Sequence, residues 1–365
     1  MQRQSRPPRP QWRDRVEALG FDFHTLDAPY WVEDACYRFG ADEIDCIEAA
    51  GNELHAMCLQ AVEQVVATGD YTPLGLDERS ANLVERSWRA GEPALYGRMD
   101  LAYDGRGAPK LLEYNADTPT SLFEASVVQW HWLEDTRAGQ DQFNLIHEKL
   151  VERWRDVLPA QAHLHFAGCL DTREDEATLA YLRETCRLAG FATTMLDVSS
   201  IGWRDGAFVD LVDQPIVNLF KLYPWEWLVA EPFAEHLPTA GTRWVEPAWK
   251  QVLSNKSLLP LLWRMFPGHP NLLPASHDPR DLDGPIVAKP RHGREGEGVF
   301  IAQRGLDFAE PGMVYQGFAP LFQGAGGHAL LGAWIVGDEA VGLGIREDDG
   351  AVTRNTSRFV PHCFD

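Results

Sequence analysis

The chain has 365 residues, with 54 Asp and Glu against 33 Lys and Arg, a formal net charge of −21. Its 45% hydrophobic and 11% aromatic content supports a sizeable core, which excludes a disordered chain, and the length suits two or three domains. The acidic balance argues against a protein that grips nucleic acid or an anionic membrane surface, since phosphate neutralisation needs Lys and Arg; it suits a cationic partner, or solubility alone.

Six scattered cysteines, with no CxxC, read as reduced thiols of a cytoplasmic protein. The basic, Pro-rich start MQRQSRPPRPQWRDR lacks the apolar stretch of a secretory signal, and no apolar run approaches the ~20 residues of a membrane helix.

In chain order, residues 1–12 read as a flexible arm. Helical periodicity from Asp42 to Thr68 (Ile44, Ile47, Leu54, Met57, Ala61, Val65) predicts a long helix. Two strands, Ala94–Ala102 and Lys110–Tyr114, flank the turn-rich Asp104-Gly105-Arg106-Gly107, and Thr120–Glu134 reads as a helix capped by Thr118 or Thr120. Residues 13–138 thus form a helical segment with a hairpin. Between 139 and 240, strands at His163–Ala167, Phe191–Val198 and Pro215–Phe220 with a helix Ala177–Ala189 ending at Gly190 suggest a Rossmann-like βαβ unit on a parallel sheet. From 241 to 365, a helix (Asn255–Phe266) precedes strand-like runs at Ile286–Ala288, Gly298–Ile301, Met313–Gln316, Leu330–Val336 and Ala340–Gly344, an antiparallel pattern. The fold class expected is α/β with α+β elements.

Two segments carry chemistry. Strand period two puts Arg98 with Asp100, and Glu113 with Asn115, on single faces of adjacent strands. Two carboxylates and an amide oxygen suit Mg²⁺, and the arginine beside them could hold a phosphoryl group. The same residues would also serve as an ion-pair ladder on a solvated sheet. Next, Lys289 is delivered by an apolar strand into Pro-Arg-His-Gly293-Arg294-Glu295-Gly296-Glu-Gly298, a layout that cradles phosphate, though an ordinary hairpin loop reads the same way. It is neither a Walker A loop nor the Rossmann GxGxxG. Lys256, Gln316 and the tail arginines Arg346, Arg354 and Arg358 could face a nucleotide, or form solvated contacts and internal ion pairs. Glu174-Asp175-Glu176 complements a helix N-terminus, or meets a cationic substrate. His163 and His165 read as core or surface residues.

Taken together, GRMDLAY (97–103), KLLEYNADTPTSLFEASVVQWHWLE (110–134), WKQVLSNKSLLPLLW (249–263), VAKPRHGREGEGV (287–299), VYQGFAPL (314–321), GAWIVGDEAVGLGIRE (332–347) and NTSRFVPH (355–362) resemble the glutathionylspermidine synthase family, in particular its synthetase-only bacterial members. The resemblance covers nearly the whole chain after the N-terminal arm. It implies an ATP-grasp fold preceded by a pre-ATP-grasp substrate domain, with residues 241–365 the nucleotide-binding part, and an ATP-dependent carboxylate–amine ligase. The cofactors implied are ATP and Mg²⁺, and the substrates a peptide-like carboxylate and an amine or polyamine. By the same resemblance, Asp100, Glu113 and Asn115 hold the metal, Arg98 and Arg346 are catalytic, and Arg98, Lys256, Lys289, Arg294, Glu295, Gly296 and Gln316 contact the nucleotide. Thr118 falls where the family touches its thiol-tripeptide, and Glu174 and Asp175 are candidates for the amine. No amidase segment is expected. Two rival readings are a non-catalytic or accessory ATP-binding protein of the same fold, and a phosphorylation of the carboxylate that needs no amine.

Overall fold

The computed structural model describes all residues except 26, 27, 138, 295, 304 and 305. The helical periodicity after residue 41 produces a helix Ala41–Thr68 that buries Ile44, Ile47, Leu54, Met57, Ala61 and Val65. Glu43 reaches back to the Gly40 amide at its start, and Gly69 ends it in the left-handed conformation. Its apolar side packs on an antiparallel sheet ordered Arg358–Phe359, Glu339–Asp348, Gly327–Val336, Tyr96–Ala102, Lys110–Asn115, with Phe322–Gly324 paired to Gly327–Val336. The 96–115 hairpin and the last third of the chain therefore share one sheet. The expected division between residues 13–138 and 241–365 does not separate them, because Tyr96–Val336 pairing closes over 230 residues of sequence that local patterns do not span.

A second sheet is parallel, in the order Arg243–Val245, Asn218–Leu222, His163–Gly168, Ala192–Asp197. The helix Arg173–Leu188 connects the first two of these strands in sequence, His163–Gly168 and Ala192–Asp197, and Gly190 takes a positive φ just after it. The fourth strand, Arg243–Val245, lies beyond residue 240, so this layer extends past the boundary expected there. A third sheet, antiparallel, runs Ala275–Ser276, Met313–Gly317, Ile286–Pro290, Phe300–Ala302, in which Ile286–Pro290 and Phe300–Ala302 pair as consecutive strands.

The helix expected at Thr120–Glu134 starts later, after Ser121, whose φ of 65° is left-handed, and opens into a π-helical turn over Glu124–Val128 before Gln129–Thr136.

The N-terminus is not a flexible arm. Gln2–Ser5 pairs antiparallel with Ala35–Phe39, which pairs in turn with His362–Phe364, so both chain ends meet in one three-stranded sheet. Three separate acids draw the basic residues in: the Met1 amine pairs with Glu43, Arg3 with Glu347 at 2.6 Å, and Arg9 with Glu33 at 2.7 Å. Arg9 and Glu33 are both buried, and Trp31 Nε1 donates to the same carboxylate. Removing one partner of such a pair leaves the other charge uncompensated. Arg9→Met is expected to lower unfolding free energy by about 3–5 kcal/mol, read as a fall in the urea midpoint.

Candidate active site

The hairpin register sets Arg98 opposite Asn115 and Asp100 opposite Glu113, with a bulge after Asp100. The four side chains converge. Arg98 donates to Asp100 through Nε (2.7 Å) and Nη2 (3.0 Å), and through Nη1 to the Thr120 carbonyl (2.7 Å). Asn115 Nδ2 stands 3.2 Å from both Asp100 Oδ2 and Glu113 Oε1. Arg346, carried by Glu339–Asp348 two strands away, comes within 3.4 Å of Asp100 Oδ2. Gly332 lies on the strand between them. A Cβ there would stand 2.8 Å from Arg98 Cδ, so a side chain would displace the arginine.

The two lysines meet the same cluster. Lys256, two residues before the helix Leu258–Met265, lies 3.1 Å from Glu113 Oε2 and donates to the Gly293 carbonyl. Lys289, at the end of Ile286–Pro290, donates to the Leu112 carbonyl and to Gln316 Oε1, each at 2.8 Å, while Gln316 Nε2 donates to the Leu111 carbonyl. Gln316 thus anchors Lys289 rather than lining the cleft itself. Burial would raise the Glu113 pKa, but the charges of Lys256 and Lys289 outweigh it and hold it near 2. Lys289 is pushed down to about 8, first by burial, with Glu113 opposing and Lys256 adding to the fall. Burial and then Arg98 lower Arg346.

One cleft is lined by Arg98, Asp100, Glu113, Asn115, Thr118, Lys256, Lys289, Arg294, Gly296 and Arg346, ten of the residues singled out by sequence. Arg294 hydrogen-bonds Thr118 Oγ1, sits 3.6 Å from Glu226 and lies over the Trp227 ring, so here it bridges the glycine loop to the opposite wall. Gly296 packs against the Thr353 carbonyl at a φ of 72°, leaving no room for a side chain. Glu295 lies outside the described residues. Glu174 and Asp175 do not line the cleft. They occupy the first turn of Arg173–Leu188, where Thr172 Oγ1 accepts from the Asp175 amide, the helix-end role of such a cluster. Of the other tail arginines, Arg358 binds Asp349 and the Gly326 carbonyl, and Arg354 lies near Asp348.

Sequence patterns missed several residues. Asp117 and Glu226 add carboxylates to the cleft wall, and Val287, Ile301, Phe318, Leu321 and Leu330 add an apolar wall. Glu124 is buried beneath the arginines. Tyr30 OH donates to it at 2.5 Å, and burial raises its pKa against that bond and against Arg98 and Arg346. An acid inside the apolar run 122–128 is the one signal that could have flagged it.

The Lys289 value gives a pH prediction. The ammonium loses its proton in the ligand-free protein as pH rises through about 8, so affinity for an anionic ligand should fall above that pH. The stability term runs the other way. Between about 8 and the ordinary lysine value of 10.5 an unfolded lysine binds more protons than the folded one, so this group's contribution to stability rises with pH. Affinity for a triphosphate, followed by calorimetry from pH 7 to 9.5, should drop while the fold persists, and Lys289→Met should flatten the drop.

The fold is similar to that of a glutathione synthetase-like effector from Globodera pallida, with a TM-score of 0.57 at 10% identity over 90% of this chain and 88% of that one. Together with the layers described above, this defines an α/β protein of the ATP-grasp type found in glutathione synthetase-like proteins. Residues 3–365 match the family model described as glutathionylspermidine synthase preATP-grasp, and the chain belongs to the glutathionylspermidine synthase family. It is 43% identical to a Haemophilus influenzae protein provisionally named an acid–amine ligase, with 98% of both chains covered. It is 28% identical both to the trypanothione synthetase of Crithidia fasciculata and to the bifunctional glutathionylspermidine synthetase/amidase of Escherichia coli, over 95% and 86% of this chain. The chain spans 57% and 56% of the length of those two relatives. Among the described residues, no helix is long and apolar enough to cross a membrane.

Proposed function

We propose that the protein is an ATP-dependent ligase that joins a carboxylate to an amine through an acyl phosphate. One observation carries the reading: a carboxylate–amide pair of strands and five cationic side chains, drawn from four separate parts of the chain, converge in a single cleft with an apolar wall. The names of the relatives support a ligase, and the substrates they name remain theirs.

In this reading the nucleotide base rests on the Val287, Ile301, Phe318 and Leu330 wall, and the phosphates face Lys256, Lys289 and the glycine loop. The donor set fits Mg²⁺. Asn115 places its amide nitrogen between two carboxylates, and a hard cation there, with the amide turned to present Oδ1, would meet Asp100, Glu113 and Asn115 while phosphate oxygens and water complete its shell. Bound there, the ion would neutralise charge on the transferring phosphoryl group. Arg98 and Arg346 stand beside Asp100, where they can stabilise the three oxygens of that group as a substrate carboxylate attacks it. The amine then displaces phosphate and leaves an amide. Removing Arg346 should therefore slow the first step.

Among the described residues, the carboxylates of the wall outside the metal set are Asp117 and Glu226, a mixture with Arg294 that favours neither a strongly cationic nor a strongly anionic second substrate. The reading is tested by ADP formation on mixing protein, ATP, Mg²⁺ and panels of acids and amines. ADP that requires both an acid and an amine supports it. ADP that forms with acid alone at the same rate favours phosphorylation without ligation, and no ADP with any pair supports an accessory ATP-binding protein.

A further inference from the structure

Asp117 and Lys221 form an ion pair deep in the protein, each 2% or less exposed, across 104 residues of sequence. Asp117 lies two residues beyond the end of the hairpin strand Lys110–Asn115, and Lys221 lies near the end of the parallel strand Asn218–Leu222. The second Asp117 oxygen accepts the Trp225 amide at 2.8 Å, and Lys221 also donates to the Tyr223 carbonyl at 3.0 Å while its ammonium sits 4.7 Å from the Trp225 ring centroid. Both oxygens of this carboxylate take a bond from the segment at and just after the end of the inner strand Asn218–Leu222. The contacts thus pin the backbone just after Asn115 to a different layer of the molecule.

What that backbone does next matters. Thr118 meets Arg294, the Thr120 carbonyl holds Arg98 at 2.7 Å, and Ser121 takes its left-handed φ, all within four residues of Asp117. The Thr120 carbonyl is the contact that turns the third edge of the Arg98 guanidinium away from Asp100. We propose that Lys221 is a positioning residue for the ligase reaction: it fixes Asp117, and through it the segment 116–121 that orients Arg98 and forms the substrate wall of the cleft. The inference rests on the function proposed above. Lys221 does not line the cleft, and it reaches the segment 116–121 through Asp117. A misplacement of about 1 Å at such a segment costs on the order of 10²-fold in rate.

The test uses the full chain with Lys221→Met, and Asp117→Glu as a second variant that keeps the charge pair but lengthens the acid by one methylene. Amide hydrogen exchange and steady-state kinetics are measured on both. The expected result is loss of protection confined to residues 116–121, kcat lower by about 10²-fold per folded molecule, and KM for ATP changed by no more than about threefold. A merely structural role would lower stability and leave kcat per folded molecule and the protection of 116–121 unchanged, which would overturn the proposal. If Lys221→Met does not fold, the same two outcomes are read from Asp117→Glu. If wild-type protein forms no ADP with any acid–amine pair, the ligase reading fails by itself, and the exchange result still decides whether Lys221 fixes the segment.

Discussion

Asp100→Asn and Glu113→Gln should each lower turnover by about 10²–10³-fold or more while the protein stays folded. Asp100 collects four contacts from Arg98, Asn115 and Arg346, all of which need an acceptor on both oxygens. An amide supplies one acceptor and one donor, so one guanidinium contact becomes a clash of donors, and the charge that a cation would meet disappears. Glu113 has a pKa near 2, so it is ionised throughout the working range and its charge is present at every assay pH. Its lowered value also contributes stability above about pH 4.5 that is lost as pH falls toward 2, so a glutamine there should flatten acid unfolding in that window. The check is a rate measurement beside circular dichroism. Near-wild-type turnover in both variants would remove the metal assignment.

Arg98→Lys is the second large effect. The guanidinium makes a two-pronged bond to Asp100 and a third to Thr120, a fork that one ammonium cannot reproduce. Positive charge is retained, so Asp100 keeps a partner and the fold should survive. The proposed reaction loses the planar fork that holds this charge in place beside Asp100. We expect kcat to fall by about 10²–10³-fold with KM for ATP nearly unchanged, the signature of a contact made in the transition state. An equal rise in KM with kcat preserved would instead place Arg98 in ground-state binding.

Much of this site could be read from sequence because its information is local. Strand period two places Arg98 with Asp100 and Glu113 with Asn115 before any sheet is known, and an apolar strand ending in Lys289 before glycines is recognisable within a dozen residues. The remainder depends on contacts that no window contains. Lys221 looks like any lysine on a strand until Asp117 is found 104 residues away. The basic, Pro-rich N-terminus resembles a loose arm because its acidic partners Glu33, Glu43 and Glu347 are spread over the chain. Glu174 and Asp175 invited assignment to a cation because an acidic triplet looks the same at a helix start and at a binding wall. In the structure both lie in the first turn of Arg173–Leu188, with Thr172 as its cap.

Among the described residues, the cleft takes Asp100, Glu113, Asp117 and Glu226 of the excess of acid, and matches them with Arg98, Lys256, Lys289, Arg294 and Arg346. The net charge of −21 therefore describes the rest of the surface and does not by itself select a polyamine.

The central claim is amide formation through an acyl phosphate, and oxygen transfer tests it most directly. An acid that supports ADP formation is prepared with ¹⁸O in its carboxylate and turned over with ATP, Mg²⁺ and its amine. The account predicts one ¹⁸O in the inorganic phosphate for each amide formed, because the attacking carboxylate oxygen leaves with the phosphoryl group. Phosphate free of label, with amide formed at the same rate, would contradict it.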